Sequence, residues 1–396
     1  MPRPRFRRSL RFETLESREL LSGGFAAPTD QEQYMLEQIN QARMNPQAAA
    51  VSVTSNLTPD VSATVAHYGV NLNATEQAIA SAPPKPPLAW NPDLAAAAQA
   101  HSQDMATNQF QSHTGSDGST PDQRMQQAGY TNASSTGENA FAYATSIDEA
   151  MQAFLIDWGV SDAGHRRNIL QPDVSSSDAY QSVGIGIAST TNNSTVGPLV
   201  ITQDFGSQPN QPAELVGVAY YDNQNTGMYE IGEGQGGVKI DATNLGTGQT
   251  TSTQTWSTGG YQIALCPGQY QITASVNGTV FQTLPVTIGT QNVEQDFVLS
   301  NNWDGRSRDQ VINSLVPSAT TSQPVPSGTT SQPVSSATTS QPVPSGTTSQ
   351  PVPSGTTSQP VPIATTSQPA ATVSTPAVSP LPTFSGSWTT WQAQVD

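Results

Sequence analysis

Three side chains carry the chemistry this sequence could perform. They are His113 in Ser112-His113-Thr114, Glu138 in Gly137-Glu138-Asn139, and His165 in Gly164-His165-Arg166. Neutral imidazole and carboxylate are good ligands for Zn2+, and two histidines with a glutamate and an open water position form a known catalytic set. The three lie 25 and 27 positions apart, so no local signature such as His-Glu-x-x-His supports a metal. The same trio can also form a metal-free network in which the carboxylate holds the imidazole tautomers. Residue type alone leaves both readings open. Ser112 and Thr114 flank His113, but no activating elbow or matched third partner accompanies them, which argues against Ser/His hydrolysis. His101 falls on an apolar stripe seven residues after Leu94 and reads as a core histidine. His67 lies in an insertion and takes no role. Arg166 and Asn168 are expected to tie the Gly-His-Arg turn to neighbouring backbone, because arginine offers five donors in a fixed fork.

Such residues need elements to hold them. Met35, Ile39 and Ala42 recur at helical spacing behind Thr29 or Asp30 as a cap, predicting a first helix over residues 31–43. An irregular segment then leads to the Pro-rich break at 82–87. Asn91-Pro92-Asp93 opens a second helix over 94–106, with Leu94, Ala98, His101 and Met105 on one stripe. A third helix over 147–158 places Ile147, Met151, Phe154 and Trp158 on one face. Residues 182–189 and 198–205 read as strands. Helices followed by strands predict a layered α/β or α+β unit rather than a βαβ repeat.

The rest of the chain changes character. Short alternating strands at 216–221, 236–240, 261–265, 270–274 and 296–299, set between Gly, Asn and Pro turns, predict an all-β sandwich. Thr-Thr-Ser-Gln-Pro begins at 320, 329, 338, 347, 356 and 365. A Pro/Ser/Thr repeat of this kind buries no core and is expected to stay disordered, as a stalk or spacer. Cys266 sits in a predicted turn as a semi-buried small side chain.

Composition excludes some functions. Only 11% of the 396 residues are charged and the net charge is −16, with six of the fourteen basic residues in the first 18 positions. That leaves too few cations for a nucleic-acid footprint. The single cysteine rules out an intrachain disulfide, and no run of 18 apolar residues supplies a transmembrane helix.

The order of the motifs adds a resemblance. Pro87-Leu88-Ala89-Trp90-Asn91, Ala100-His101-Ser102, Ser112-His113-Thr114, Arg124 with Ala128-Gly129-Tyr130, Gly137-Glu138-Asn139, Gly164-His165-Arg166 and Thr202-Gln203 with Phe205-Gly206 together resemble the bacterial branch of the CAP superfamily. That family comprises cysteine-rich secretory (SCP), antigen 5 and pathogenesis-related 1 proteins. The resemblance implies an α-β-α sandwich whose cleft is lined by two histidines and two acids, with a divalent metal such as Zn2+ held there. Carried over by motif, the site residues are His113, Glu138 and His165. The second acid normally stands three residues after the tryptophan, where this chain has Ser161. Asp162 is no assured substitute, so at most three ligands remain.

Two further resemblances concern the flanks. Residues 222–233, with Asp222, Glu230 and Glu233, resemble the Ca2+-binding loop of SdrD B-like adhesin repeats, related to carboxypeptidase-regulatory-like β-sandwiches. Gln224 and Thr226 stand where stronger ligands are usual, and the alternative is an acidic β-turn. Residues 11–22 resemble a short N-terminal motif of bacterial surface proteins, although no apolar signal core follows it. The expected organisation is an export segment at 1–29, a CAP domain at 30–210, a β-sandwich at 211–302 and a repeat stalk at 303–396. The expected function is a secreted or cell-surface binding and display module for a lipid, glycan or protein, with no nucleic-acid partner. The alternative is a metal-dependent hydrolase using the same cleft.

Overall fold

Helix α1 (Asp30–Met44) starts where the sequence places it. Thr29 accepts from the Glu32 amide while the Glu32 carboxylate reaches back, a complete capping box. The segment expected to be irregular instead forms three helices: α2 (Pro46–Thr54), α3 (Pro59–His67) and α4 (Leu72–Ala80). Each is started by a side-chain cap (Asn45, Thr58, Asn71), and proline opens the first two, where its missing N–H costs nothing. These are short-range signals that weak apolar periodicity obscures. Strand β1 (Ala89–Trp90), helix α5 (Pro92–Asn108), helix α6 (Pro121–Ala128) and strand β2 (Ser135–Ala144) follow. Helix α7 (Ile147–Ile156) stops two residues earlier than its apolar stripe suggests, because Asp157 turns left-handed at φ 62°. Helix α8 (Gly164–Leu170) and strands β3 (Ser182–Ser189) and β4 (Leu199–Ser207) complete this part.

This computed structural model describes residues 26–191 and 194–299. Residues 1–25 of the expected export segment and the whole repeat stalk therefore lie outside the described residues. The first sheet has the order β1-β3-β4-β2, with β1 parallel to β3 and the other pairs antiparallel. Its two faces are read from β3. A Cβ on Gly184 would lie 1.9 Å from the Ala95 amide, and one on Gly186 would lie 2.2 Å from that of Gln99. These glycines let α5 lie directly against the sheet. The alternate residues Val183 and Ile185 enter the core that α1 and α7 share on the other face. The described helices and this sheet therefore form the α-β-α layering that the sequence implies.

Fully buried Arg43 links this core to its loops. It donates to the Pro86, Ile169 and Tyr180 carbonyls and to Gln171. Burial pushes its guanidinium down to about 9, so it stays charged at neutral pH.

The second lobe contains two sheets around one core. One holds β6 (Lys239–Asn244), β7 (Thr250–Gln254), β9 (Gly268–Val276) and β10 (Thr279–Ile288), in the order β10-β9-β6-β7. The other is built on β5 (Glu214–Tyr220), flanked by antiparallel β8 (Gly260–Ala264) and by two short parallel strands, β11 (Val293–Glu294) and β12 (Phe297–Val298). Leu215, Ile240, Ile263, Ile272 and Ile288 from both sheets share that core, the arrangement of a β-sandwich. Cys266 is exposed rather than semi-buried, because its turn sends Leu265 and Tyr270 inward instead.

The lobes are joined by specific contacts. Asn292 accepts from the Glu214 amide and donates to the Pro87 and Gln181 carbonyls. A Cβ on Gly260 would meet the Gln33 side chain at 2.0 Å, and Tyr34 packs on Tyr229 with ring centroids 6.5 Å apart. The all-β lobe thus covers part of helix α1. A fragment ending at residue 210 is expected to melt several degrees below one ending at 299, since each lost kcal/mol costs about 2–4 °C in a domain of this size. Equal melting temperatures by calorimetry would show the lobes to be energetically independent.

Candidate functional site

Consecutive residues on a strand point to opposite faces, and β2 uses this at Gly137-Glu138-Asn139. Glu138 pairs with Asp204 across the ladder, and Asp204 pairs with Gly184, whose face is covered by α5. Glu138 therefore points toward α5 and α6. There its Oε1 lies 2.8 Å from His113 Nδ1, and its Oε2 accepts from Arg124 Nη2 at 2.6 Å. Arg124 also holds the Ser119 and His113 carbonyls, fixing the loop that carries the histidine. Asn139 points the other way. It donates to the His165 carbonyl at 3.2 Å, and Asn168 donates to the Glu138 carbonyl at 3.1 Å and to Asn139 Oδ1 at 2.9 Å. Gly137 is required between them, because a Cβ would sit 2.4 Å from the Tyr180 hydroxyl and 3.0 Å from Asn168 Oδ1.

The structure brings two of the three expected residues into contact, His113 and Glu138. His165 is tied to the same strand through its backbone, but its ring pairs elsewhere. Its Nδ1 lies 2.7 Å from Asp157 Oδ1, the left-handed residue that ends α7, and its ring packs on Phe154. Asp157 Oδ2 in turn accepts from the Arg166 amide, while Arg166 donates to the Leu155 and Ile156 carbonyls. Arg166 and Asn168 thus make the backbone ties expected of them.

Both histidines are held in the same way. A carboxylate only accepts, so in the neutral form of either ring the proton sits on Nδ1 and Nε2 carries the lone pair. The His113 side chain is 39% exposed and that of His165 12%, against 2% for Glu138 and 0% for Asp157. Each pair is therefore an inner carboxylate presenting an outer imidazole. Glu138 itself spends both oxygens on His113 and Arg124, so it orients rather than ligates in this arrangement. Among the described residues, the one group of three or more His, Cys, Asp or Glu donors within 4.8 Å of one another is Glu37, Glu294 and Asp296.

Three participants were not legible as site residues. His101 is fully buried on α5 as expected of a core residue, yet its Nε2 lies 3.9 Å from Glu138 Oε1 and 2.7 Å from the Ser112 carbonyl. Burial lowers its pKa, keeping it neutral, and its Nδ1 has no hydrogen-bond partner. Arg124 stood only as part of a motif. Asp204 gave no signal at all: it is fully buried, and neither of its oxygens accepts a hydrogen bond.

The electrostatics follow from these contacts. Burial alone would push Glu138 up, but the His113 hydrogen bond and the nearby positive charge, Arg124 included, hold it below the usual carboxylate range. Asp204 goes the opposite way. Burial first, and then the charge of Glu138, raise it well above the usual range, which favours its protonated form. Two like charges side by side in a dry site cannot both ionise.

In the second lobe, Asp222 accepts from the Thr226 and Gly227 amides, and Glu233 from those of Asn223 and Glu230. Gln224 donates to Glu230. The loop is closed by its own hydrogen bonds. A cavity of about 250 Å³ separates this loop from α1, α2 and α7, lined by Tyr34, Gln38, Met151, Leu155, Met228 and Tyr229. None of His113, Glu138 or His165 borders it.

Residues 36–205 match the model of the CAP family, described as the cysteine-rich secretory protein family. The chain thus carries a CAP domain over those residues. Among solved structures it is similar to an extracellular protein containing a SCP domain from Bacillus anthracis str. Ames, at 24% identity over 39% of this chain, with a TM-score of 0.25. That match covers 45% of the other protein, less than half its length. No curated protein matches the chain.

Because the raised Asp204 pKa belongs to the folded state, its stabilising share is complete below the unfolded value of about 3.9 and is lost as pH rises through the folded value. Asp204→Asn keeps the hydrogen-bond donor without the titration. Melting curves between about pH 5 and about pH 9 should show the variant gaining on the native chain as pH rises. A constant difference across that range would mean that Asp204 does not carry this proton.

Proposed function

We propose that the chain is an extracellular binding and display protein whose CAP domain presents two carboxylate-oriented histidines, His113 and His165, as its recognition chemistry. The observation that carries this reading is the repeated pairing of an outer imidazole with an inner carboxylate, Nδ1 to Glu138 and Nδ1 to Asp157. Histidines that hold Zn2+ characteristically direct their second nitrogen to such a carboxylate, which fixes the ring and raises ligand strength. The two Nε2 atoms are therefore the donors offered to Zn2+, with Glu138 moved from the ligand set to the supporting one. Glu138 would join the metal only by giving up Arg124 or His113. When bound, the metal supplies an attachment point for an oxygen or nitrogen group of the ligand.

Binding is favoured over hydrolysis by the state of Glu138. A carboxylate that is buried and held below its usual range is a poor general base at neutral pH. The low charge content, the resemblance of residues 11–22 to a surface-protein motif and the Ser/Thr/Pro repeat support export and display. Among the described residues, no helix is long and apolar enough to cross a membrane. Ca2+ on Asp222, Glu230 and Glu233 belongs to the same proposal, with those carboxylates exchanging loop amides for the ion.

The test is a Zn2+ titration of the full chain by calorimetry. His113→Ala combined with His165→Ala should abolish binding, and Glu138→Gln should weaken it by about 10–100-fold. Equally little Zn2+ on the native chain and the double variant would reject the metal.

A further inference from the structure

We propose that the cavity between α1, α2, α7 and the 222–233 loop binds a small hydroxyl-bearing organic ammonium ion, its charge held by Asp148 and Glu230 and its alkyl groups by Tyr34, Tyr229, Met151 and Met228. The cavity holds about 250 Å³, and Met228, Tyr229 and Glu230 wall it from the second lobe. Glu37, Asp148 and Glu230 border it, whereas none of its lining residues is Lys, Arg or His. A space lined by one sign of charge concentrates ligands of the other sign.

The two carboxylates are oriented there without being neutralised. Asp148 Oδ1 accepts from the Tyr34 hydroxyl at 2.9 Å and from Gln38 Nε2 at 2.6 Å, and Glu230 Oε2 accepts from Gln224 Nε2. All three donors are uncharged, so they fix the geometry and leave the negative charge in place. Both charges act on the same hydroxyl: burial first, then Asp148 and, behind it, Glu230 push Tyr34 up.

The remaining walls select the kind of cation. Tyr34 and Tyr229 border the cavity with their ring planes tilted by 52°. An ammonium within about 6 Å of a ring centroid is attracted by the ring quadrupole, and thioethers pack adaptably against its alkyl groups. A hard metal ion, which requires several oxygen ligands, gains nothing from rings and sulfurs. Gln41 is an independent observation that points to an oxygen on the ligand. Its Nε2 donates to Met228 Sδ at 3.2 Å, and a thioether is a weak acceptor. A ligand hydroxyl is the better acceptor for that amide. The site stands apart from His113 and His165 and does not rest on the reading given to them.

The test is calorimetric titration of the full chain with choline and with its uncharged carbon isostere, dimethylbutanol, in chelator that keeps Ca2+ from Glu230. One choline should bind per chain, and the isostere at least about tenfold more weakly. Asp148→Asn and Glu230→Gln each keep an oxygen that accepts from the same donors while removing the charge. Together they should weaken choline about tenfold and leave the isostere unchanged. Should that double variant fail to fold by circular dichroism, Asp148→Asn alone should show part of the loss. No saturable heat with choline would overturn the proposal, and equal affinity for the isostere would reduce the site to an apolar cavity and overturn it too. Choline affinity that is the same in the native chain and in the folded variants would also contradict it.

Discussion

The CAP domain depends on one buried carboxylate kept ionised. Glu138 lies on an edge strand under two helices, where desolvation opposes its charge, and it is held there by the Arg124 guanidinium and the His113 ring. Removing Arg124 would leave this buried carboxylate without its cation, a change that typically costs about 3–5 kcal/mol. The loop from α5 to α6, the start of α6 and the middle of β2 are thereby fixed to one another. Asp204, its partner across the ladder, is pushed well above the usual carboxylate range by burial and then by this charge.

The surrounding fold makes that arrangement affordable in space. Glycines on β3 allow α5 to lie against the sheet, bringing His101 over Glu138. The period-two alternation of β2 lets neighbouring residues serve different faces: Glu138 organises one histidine, while Asn139 anchors the helix that carries the other. Asp157 completes the symmetry of roles by ending α7 in a left-handed turn and capturing the His165 ring. The β-sandwich then packs on α1 through Gln33, Tyr34 and Asn292 contacts, so the far side of the CAP domain is built partly from the second lobe.

Much of this was legible in the sequence, and what was missed has physical causes. The first, second and third apolar stripes and the strand at 182–189 show strong periodicity, and they appear where expected. Helices α2 to α4 did not, because Ala, Ser and Thr give a faint stripe and the caps that start them are single residues. His113 and Glu138 were reachable as a pair through their flanking motifs. Asp157 was not, since it lies four residues before the position inspected for a second acid, Ser161, and acts through a backbone turn no pattern announces. Asp204 sits in a strand that reads as apolar alternation, and its partner lies 66 positions earlier by number (204 minus 138). Only the ladder register joins them.

The central claim is that inner carboxylates set the tautomers of both site histidines. Nitrogen-15 NMR of the histidine-labelled full chain, assigned with His113→Gln and His165→Gln and recorded where the rings are neutral, reads this directly. The account predicts Nδ1–H with a bare Nε2 for His113 and His165, and the reverse for His101, whose Nε2 donates to the Ser112 carbonyl. An Nε2–H tautomer at both His113 and His165 would contradict it.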